Sequence, residues 1–282
     1  MKRRLSSTML YYVLIVLLLG VILIPIYWLI MPSFLPASEM FAFPPHLLPR
    51  SVTLKNYYDL FVTYPKTVTI DMFLYLRNSF IACGAASGIV LVISVLAGYA
   101  LARGAFRGKE TVRTTILLTQ MMPAVLFFIP IYLLMKGLNL INNLLALILI
   151  YPGMVAPFST FISEAYIVNI PQEIEESALL DGATTGTILF RIILPLSAPM
   201  VVAILIYSFV WMWNDLIISL VLCHANEVRT ASVGLFSFIG AATVEWGGLL
   251  AGTVLCILPP LILFALFQRF IIQGILAGSL KA

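Results

Sequence analysis

The stretch E-E-S-A-L-L-D-G-A-T-T-G-T-I-L-F-R-I-I-L-P-L-S-A-P, residues 175–199, stands between two long apolar runs. Two acids open it, Gly182 breaks it, and an apolar run carries it to Pro195 and Pro199. Just upstream, Pro171 suits the first turn of a helix, where its missing N–H removes no hydrogen bond. Glu173, Glu175 and Glu176 follow in the first turns, where the positive end of the helix dipole favours acids. Gly182 fits the position just past a helix end, where φ is often positive. Thr184 or Thr185 can cap a second helix. The segment therefore reads as a short helix, a sharp turn and another helix running through Phe190 to Pro195. Its apolar residues Ile174, Ala178, Leu179 and Leu180 are too many for an isolated exposed helix. They pack on neighbours, offer a knob to a partner, or lay the helix on a bilayer.

The surroundings decide the solvent. Of 282 residues, 62% are hydrophobic and 10% charged, where soluble domains carry about 25% charged residues. A span needs ~20 uncharged residues to cross ~30 Å of hydrocarbon. Six stretches qualify: 5–35, 78–102, 114–135, 137–163, 192–214 and 246–268. Backbone groups in lipid must be bonded internally, so each is expected to be one helix. This gives an all-α membrane protein with six transmembrane helices, at about 9–31, 78–102, 114–135, 143–163, 197–222 and 247–268. Around them lie an N-terminal tail (1–8), an outer loop (32–77), an inner loop (164–196) and a C-terminal tail (269–282). The basic start resembles that of a signal peptide, but the apolar core behind it is too long and five more spans follow.

Orientation follows from Lys and Arg near the helix ends. With both termini in the cytoplasm, the inner segments hold Lys2, Arg3, Arg4, Arg103, Arg107, Lys109, Arg113, Arg191, Arg269 and Lys281. The outer ones hold Arg50, Lys55, Lys66, Arg77, Lys136 and Arg229. The short 103–113 connection, with four positives, carries most weight, since long loops count for less. The outer loop contains Pro32, Pro36, Pro44, Pro45, Pro49 and Pro65, which forbid one long helix. Residues 54–61, L-K-N-Y-Y-D-L-F, fit a short amphipathic helix.

Other motifs exclude as much as they suggest. Cys83, Cys223 and Cys256 are scattered, and His46 and His224 lack ligand-like spacing, so neither a disulfide framework nor a zinc site is expected. G-A-F-R-G-K-E, residues 104–110, has three residues between its glycines and Glu110 after the lysine. A phosphate-binding loop needs four, then Ser or Thr; the segment reads as a basic turn, and the chain has no nucleotide site of its own. Gly84 and Gly88, four apart, with Gly98 further on, mark a face for close helix packing. In S-F-V-W-M-W-N-D-L, residues 208–216, Asp215 is the most deeply placed acid. An ionisable group in a span is a functional candidate, and Trp211, Trp213 and Asn214 beside it offer stacking and hydrogen bonds to a sugar. An interfacial aromatic belt explains the same residues. Gln120, before Pro123, is a further solute-path candidate, or an amide bridging two helices.

E-S-A-x-x-D-G-A followed by I-x-L-P closely resembles the "EAA" loop of permease subunits of bacterial ABC importers, with Ser177 in place of the usual Ala. N-S-F-I-A (78–82), A-G-Y-A-L-A-R-x-x-F-R-G-K (97–109), L-T-Q-M-M-P (118–123), I-P-x-E-I-E-E-S-A (170–178) and W-N-D (213–215) resemble the carbohydrate-uptake branch. The ending Q-R-F-I-I-Q-G-I-L-A-G-S-L-K (268–281) is similar to that of the second permease of maltose-type systems, although the usual G-A-V-K-G is replaced by Gly278-Ser279-Leu280-Lys281-Ala282. The resemblance implies a type I ABC importer permease fold in a bacterial or archaeal cytoplasmic (inner) membrane. It implies that Glu176, Ser177, Ala178, Asp181, Gly182 and Ala183 form a coupling helix docked on a cytoplasmic ATPase. The implied partners are a second homologous permease, two ABC ATPase subunits and an extracytoplasmic solute-binding protein, with no nucleic acid. The chain would bind no cofactor itself; ATP and magnesium would serve the partner ATPase. The solute would be a sugar, most simply an oligosaccharide, or else a polyol or glycerol-phosphate compound. An ion-coupled secondary transporter would leave the inner loop unexplained and usually shows repeats and several intramembrane charges. An intramembrane enzyme lacks a nucleophile–base set.

Overall fold

The computed structural model describes residues 2–61, 71–240 and 243–279. Pro65, Lys66, Lys281 and the last residues of the C-terminal motif lie outside them. Among the described residues the secondary structure is helical apart from one isolated antiparallel bridge, Ile239 to Val244. The helices are α1 (Lys2–Ile30), α2 (Ala37–Met40), α3 (Lys55–Phe61), α4 (Met72–Arg103), α5 (Lys109–Met121), α6 (Phe128–Gly137) and α7 (Leu144–Val168). There follow α8 (Gln172–Leu180), α9 (Thr185–Ile188), α10 (Leu194–Leu196), α11 (Ala198–Trp213), α12 (Ile217–Leu222), α13 (Ala231–Phe236) and α14 (Trp246–Ser279). They fall into two compact units. One holds the chain up to Met72 together with Gly234–Ile257, the other Phe73–Val233 and the chain from Leu258 on.

In the first unit α1 exposes most of its leucines, valines and isoleucines from Val13 onward. Such a surface suits hydrocarbon and not water. Pro32 turns the end of α1 into a short 3-10 segment. The following loop is tied by polar bonds. Asn56 Nδ2 donates to Ser33 O and Leu35 O, both at 2.9 Å, and Thr53 N donates to Phe34 O at 2.8 Å. Glu39 accepts from the Arg50 N–H, the Ser51 N–H and the Ser51 hydroxyl. The Ser51 hydroxyl first, then the Arg50 N–H, hold this carboxyl below the usual carboxylate range. The expected helix over 54–61 is present as α3.

The second unit is built on α4, α7 and α11. Small residues of α4, Ala82, Cys83, Ala86, Ser87 and Ser94, recur at helical spacing and are buried. Ser94 Oγ donates to Ala156 O of α7 at 3.4 Å. Gly84 and Gly88 are not on that face: an added Cβ at either would meet nothing within 4 Å. Gly98 makes the close approach instead. A Cβ there would lie 2.5 Å from Ser163 Cβ and 2.9 Å from the Glu164 nitrogen on α7.

Among the described residues, four helices are long and apolar enough to cross a membrane, or up to six if each bent pair counts as one. The expectation of an unbroken helix over 114–135 and over 192–214 is corrected at this point. Lys109–Met121 and Ala124–Gly137 meet at 94°, and Thr185–Leu196 and Ala198–Trp213 at 79°. Pro123 explains the first bend: it disfavours the helical region for the residue before it, and Met122 sits at φ −76°, ψ 129°. At the second, Ser197 leaves the helix and Pro199 occupies the first turn of α11. The 137–163 stretch is shifted: its helix starts only after Asn143, whose side chain accepts from Leu145 N, and α7 runs past Glu164 to Val168.

The glycines of α4 give a paired expectation. Gly84→Ala should raise stability by roughly 0.5–1 kcal/mol, because it removes backbone freedom from the unfolded chain. Gly98→Ala should lower it by about 1–3 kcal/mol through overpacking against α7. Thermal unfolding of both variants in one detergent checks the sign at each site.

Candidate coupling segment and solute cavities

Residues 172–188 fold locally as their sequence demands. Pro171 stands just before α8, and Glu173 and Glu175 occupy its first turn. Gly182, at φ +81°, ends it. Its N–H donates to Leu179 O at 3.0 Å and the Ala183 N–H to Ala178 O at 2.9 Å, which closes a Schellman turn. Thr184 caps α9, its Oγ1 accepting from Thr187 N at 3.3 Å. A five-residue π-helical stretch, Leu189–Ile193, then leads to α10. The six expected docking residues lie together: Glu176, Ser177, Asp181 and Gly182 are exposed, Ala178 and Ala183 half-buried.

The burial on α8 is inverted. Leu180 is 90% exposed, and Ile174 and Leu179 are also exposed. The one buried residue is the acid Glu175. Arg103 Nε donates to its Oε1 at 2.6 Å and the Tyr99 hydroxyl to its Oε2 at 2.7 Å. Arg103 Nη2 donates to Ile170 O at 2.6 Å. Arg113 pairs with the buried Glu164 of α7 and, at 2.6 Å, with Glu110.

Two cavities open on α11. One, of about 550 Å³, is lined by Thr119, Gln120, Met122, Ala124, Phe127, Ile131, Ile150, Gly153, Met154, Tyr207 and Trp211. The other, of about 760 Å³, is lined by Ile206, Tyr207, Val210, Trp211, Asn214, Asp215, Leu216 and Ile217. Tyr207 and Trp211 wall both. Trp213 is on neither wall: it is buried, stacked on Phe209 at 5.2 Å and edge-on to Phe80 at 5.1 Å.

Residues 90–276 match the family described as the inner membrane component of binding-protein-dependent transport systems. YcjP, an inner membrane ABC transporter permease protein of Escherichia coli (strain K12), is 30% identical over 282 residues, 99% of each chain. DasC, the diacetylchitobiose uptake system permease protein of Streptomyces coelicolor, is 32% identical over 269 residues, 95% of this chain and 94% of that one. The chain belongs to this permease family. The fold is shared with a chain of a bacterial ABC transporter involved in the import of the acidic polysaccharide alginate, at a TM-score of 0.77 and 22% identity over 93% of this chain and 97% of that one. The permease is an inner-membrane transport component and not a catalytic subunit; its family implies an ATPase that hydrolyses ATP and a binding protein as partners.

Sequence reasoning missed Tyr207, one turn before Trp211 on the same face. It also missed Tyr99 and Arg103 as partners of Glu175, although their four-residue spacing in G-Y-A-L-A-R puts both on one face of α4. Asp215 of the permease is heavily engaged. Its Oδ2 accepts from Ser219 N at 2.9 Å, Tyr151 Oη at 3.1 Å and Ser219 Oγ at 3.2 Å, and its Oδ1 from Ile218 N at 3.3 Å. It acts as a cap for α12 while one side touches the larger cavity. Asp215→Ala should therefore destabilise the permease by about 1–2 kcal/mol, the size of a lost cap. Asp215→Asn, which keeps an acceptor oxygen, should cost less. Unfolding midpoints in detergent would show this order, and equal midpoints for both variants and the parent would remove the capping role.

Proposed function

We propose that the permease forms half of the solute path of an ATP-driven, binding-protein-dependent sugar importer of the type I fold, and that α8 with its Gly182 turn is the coupling helix that docks on the ATPase. The observation that carries this reading is the inverted burial of α8, whose leucines face outward from a helix anchored by its acid. A partner groove is the natural place for such residues. A second, homologous permease completes the path. The chain itself holds no cofactor, and ATP with magnesium acts on the ATPase.

An oligosaccharide is the favoured solute. Trp211 and Tyr207 present aromatic faces, and Gln120 and Asn214 present amides, to the two cavities. Among the described residues no Lys or Arg lines either cavity, which speaks against a phosphorylated solute such as a glycerol-phosphate compound. A saccharide is also what the uptake system of DasC handles, diacetylchitobiose. Transport proceeds by alternating access: ATP binding to the ATPase pair favours one of two arrangements of the helices, and hydrolysis resets it.

Each bent pair counts as one crossing in this reading, so six spans put both termini and the 103–113 and 164–196 segments in the cytoplasm. Thr111 and Thr184 are exposed in the structure. Single cysteines at these positions, in a background without Cys83, Cys223 and Cys256, should resist impermeant thiol reagents added to intact cells and react after lysis. Rapid labelling of intact cells would reverse the orientation.

The docking role is tested at Gly182. An added Cβ meets nothing within 4 Å in this chain, so the local penalty of a substitution is the positive φ alone, roughly 1–2 kcal/mol. Gly182→Leu should insert in the membrane normally, retain little ATPase on co-purification, and abolish ATP-energised uptake in vesicles whose proton gradient is collapsed. Normal ATPase retention and uptake by this variant would leave α8 as a surface helix.

A further inference from the structure

We propose that Tyr99 and Arg103 are positioning residues of transport: they clamp Glu175 so that α8 moves as one body with the ends of α4 and α7. The inference rests on the coupling role given to α8 above and assigns a task to residues outside the docking surface.

Three observations converge. First, the contact is built for orientation. Each carboxylate oxygen of Glu175 takes one donor, from side chains one turn apart on α4, at 2.6 and 2.7 Å. The same guanidinium reaches Ile170 O at 2.6 Å, just ahead of α8, so a single planar group holds both the entry to the helix and its first turn. The two side chains of the ion pair are only 11% and 10% exposed. Second, the clamp stands where α4 is already fixed. Gly98, adjacent to Tyr99, is pressed on Ser163 and Glu164 of α7. Glu164 in turn takes Arg113 from α5. Third, α8 is flanked by joints. Asn169–Pro171 breaks the chain before it and the Gly182 turn after it. Without the clamp, α8 would be held to the rest of the second unit mainly through those joints and the half-buried Ala178.

A push on Leu179 and Leu180 would then swing α8 about its two ends. With the clamp closed, the same push is carried into α4 and α7. α7 packs on α11, which bears the walls of both cavities, so through the clamp the push reaches those walls. The rigid attachment makes the helix a lever instead of a hinge.

The test reads motion, not solute, so the solute need not be known. A cysteine replaces Val210, a wall residue of the larger cavity, in a permease otherwise free of cysteine and assembled with its partner permease, ATPase and binding protein in nanodiscs. Its rate of reaction with N-ethylmaleimide is measured with and without trapping by ATP and vanadate. Arg103→Gln and Glu175→Gln should keep the ATPase bound and trap as much nucleotide as the parent. The ATP-dependent change in labelling rate should shrink about tenfold, within the usual size of a coupling between two sites. Arg103→Lys keeps the charge but lacks the rigid fork that spans both contacts, so its change should lie between parent and Arg103→Gln. A full change in these variants, or one reduced only in step with the ATPase lost, overturns the clamp. Should Arg103→Gln fail to insert, Arg103→Lys and Tyr99→Phe decide the matter: a reduced change supports the clamp and a full change in both overturns it. If the parent complex itself retains no ATPase and shows no ATP-dependent change, the coupling reading of α8 fails first and the clamp falls with it. A change in the parent that persists in the variants removes the clamp alone.

Discussion

In hydrocarbon, a backbone N–H or C=O without a partner loses several kcal/mol. The second unit is organised by how it meets this constraint where its helices stop. At Ser197, the backbone N–H finds Ile193 O at 2.9 Å and Leu194 O at 3.2 Å. At Asn214, the backbone N–H and the side-chain amide both donate to Val210 O, at 3.2 and 2.8 Å. The first turn of α12 is met by the Asp215 carboxylate. Two of the breaks coincide with cavities: Met122 and Ala124 flank Pro123 on one wall, and Asn214 to Ile217 form part of another. Breaking a helix moves side chains off the regular spiral and opens space beside it. At the second of these breaks Asn214 and Asp215 both interrupt the span and supply polar lining.

What could be read from the sequence were the features set by neighbours along the chain. The end of α8 at Gly182, the cap at Thr184 and helix α3 each depend on a few adjacent residues, and each is where the sequence places it. The bends at Pro123 and Ser197 carried a local signal too, in the prolines, but an apolar count alone reads straight through a proline. Contacts across the fold were harder. Gly84 and Gly88 have the right spacing for a close crossing, yet a helix has several faces, and only the placement of α7 selects Gly98. Trp211 and Trp213 looked equivalent in W-M-W; two residues on a helix differ by about 200° in direction, which sends one to a cavity and the other into Phe80 and Phe209.

Asp215 shows why polarity inside a span does not by itself define a role. An ionised carboxylate accepts about four hydrogen bonds, and this one has four contacts within the chain. Little of its capacity is left over for a solute. Gln120, Asn214 and Trp211 differ in that their exposed edges face open space. On this ground the amides and the aromatic rings, rather than the acid, are the better candidates for direct contact with a sugar.

The use of an ion pair to seat α8 follows from what such a pair can and cannot do. Replacing a buried pair by apolar side chains of similar volume is often neutral or even stabilising, so Glu175 and Arg103 are a poor choice if stability alone is at stake. An apolar contact, however, has no preferred direction, and a short helix resting on leucines can roll or slide with little loss of contact. A carboxylate held by a guanidinium and a hydroxyl fixes both rotation and register. With Glu175 facing inward, Leu180, five residues on, is turned about 140° away from it by the 3.6-residue repeat of the helix. Leu180 is presented at its C-terminal end for this reason. The polar seat and the apolar exposed end are two consequences of one orientation, the one that a helix needs if it is to receive a push on its leucines and pass it on.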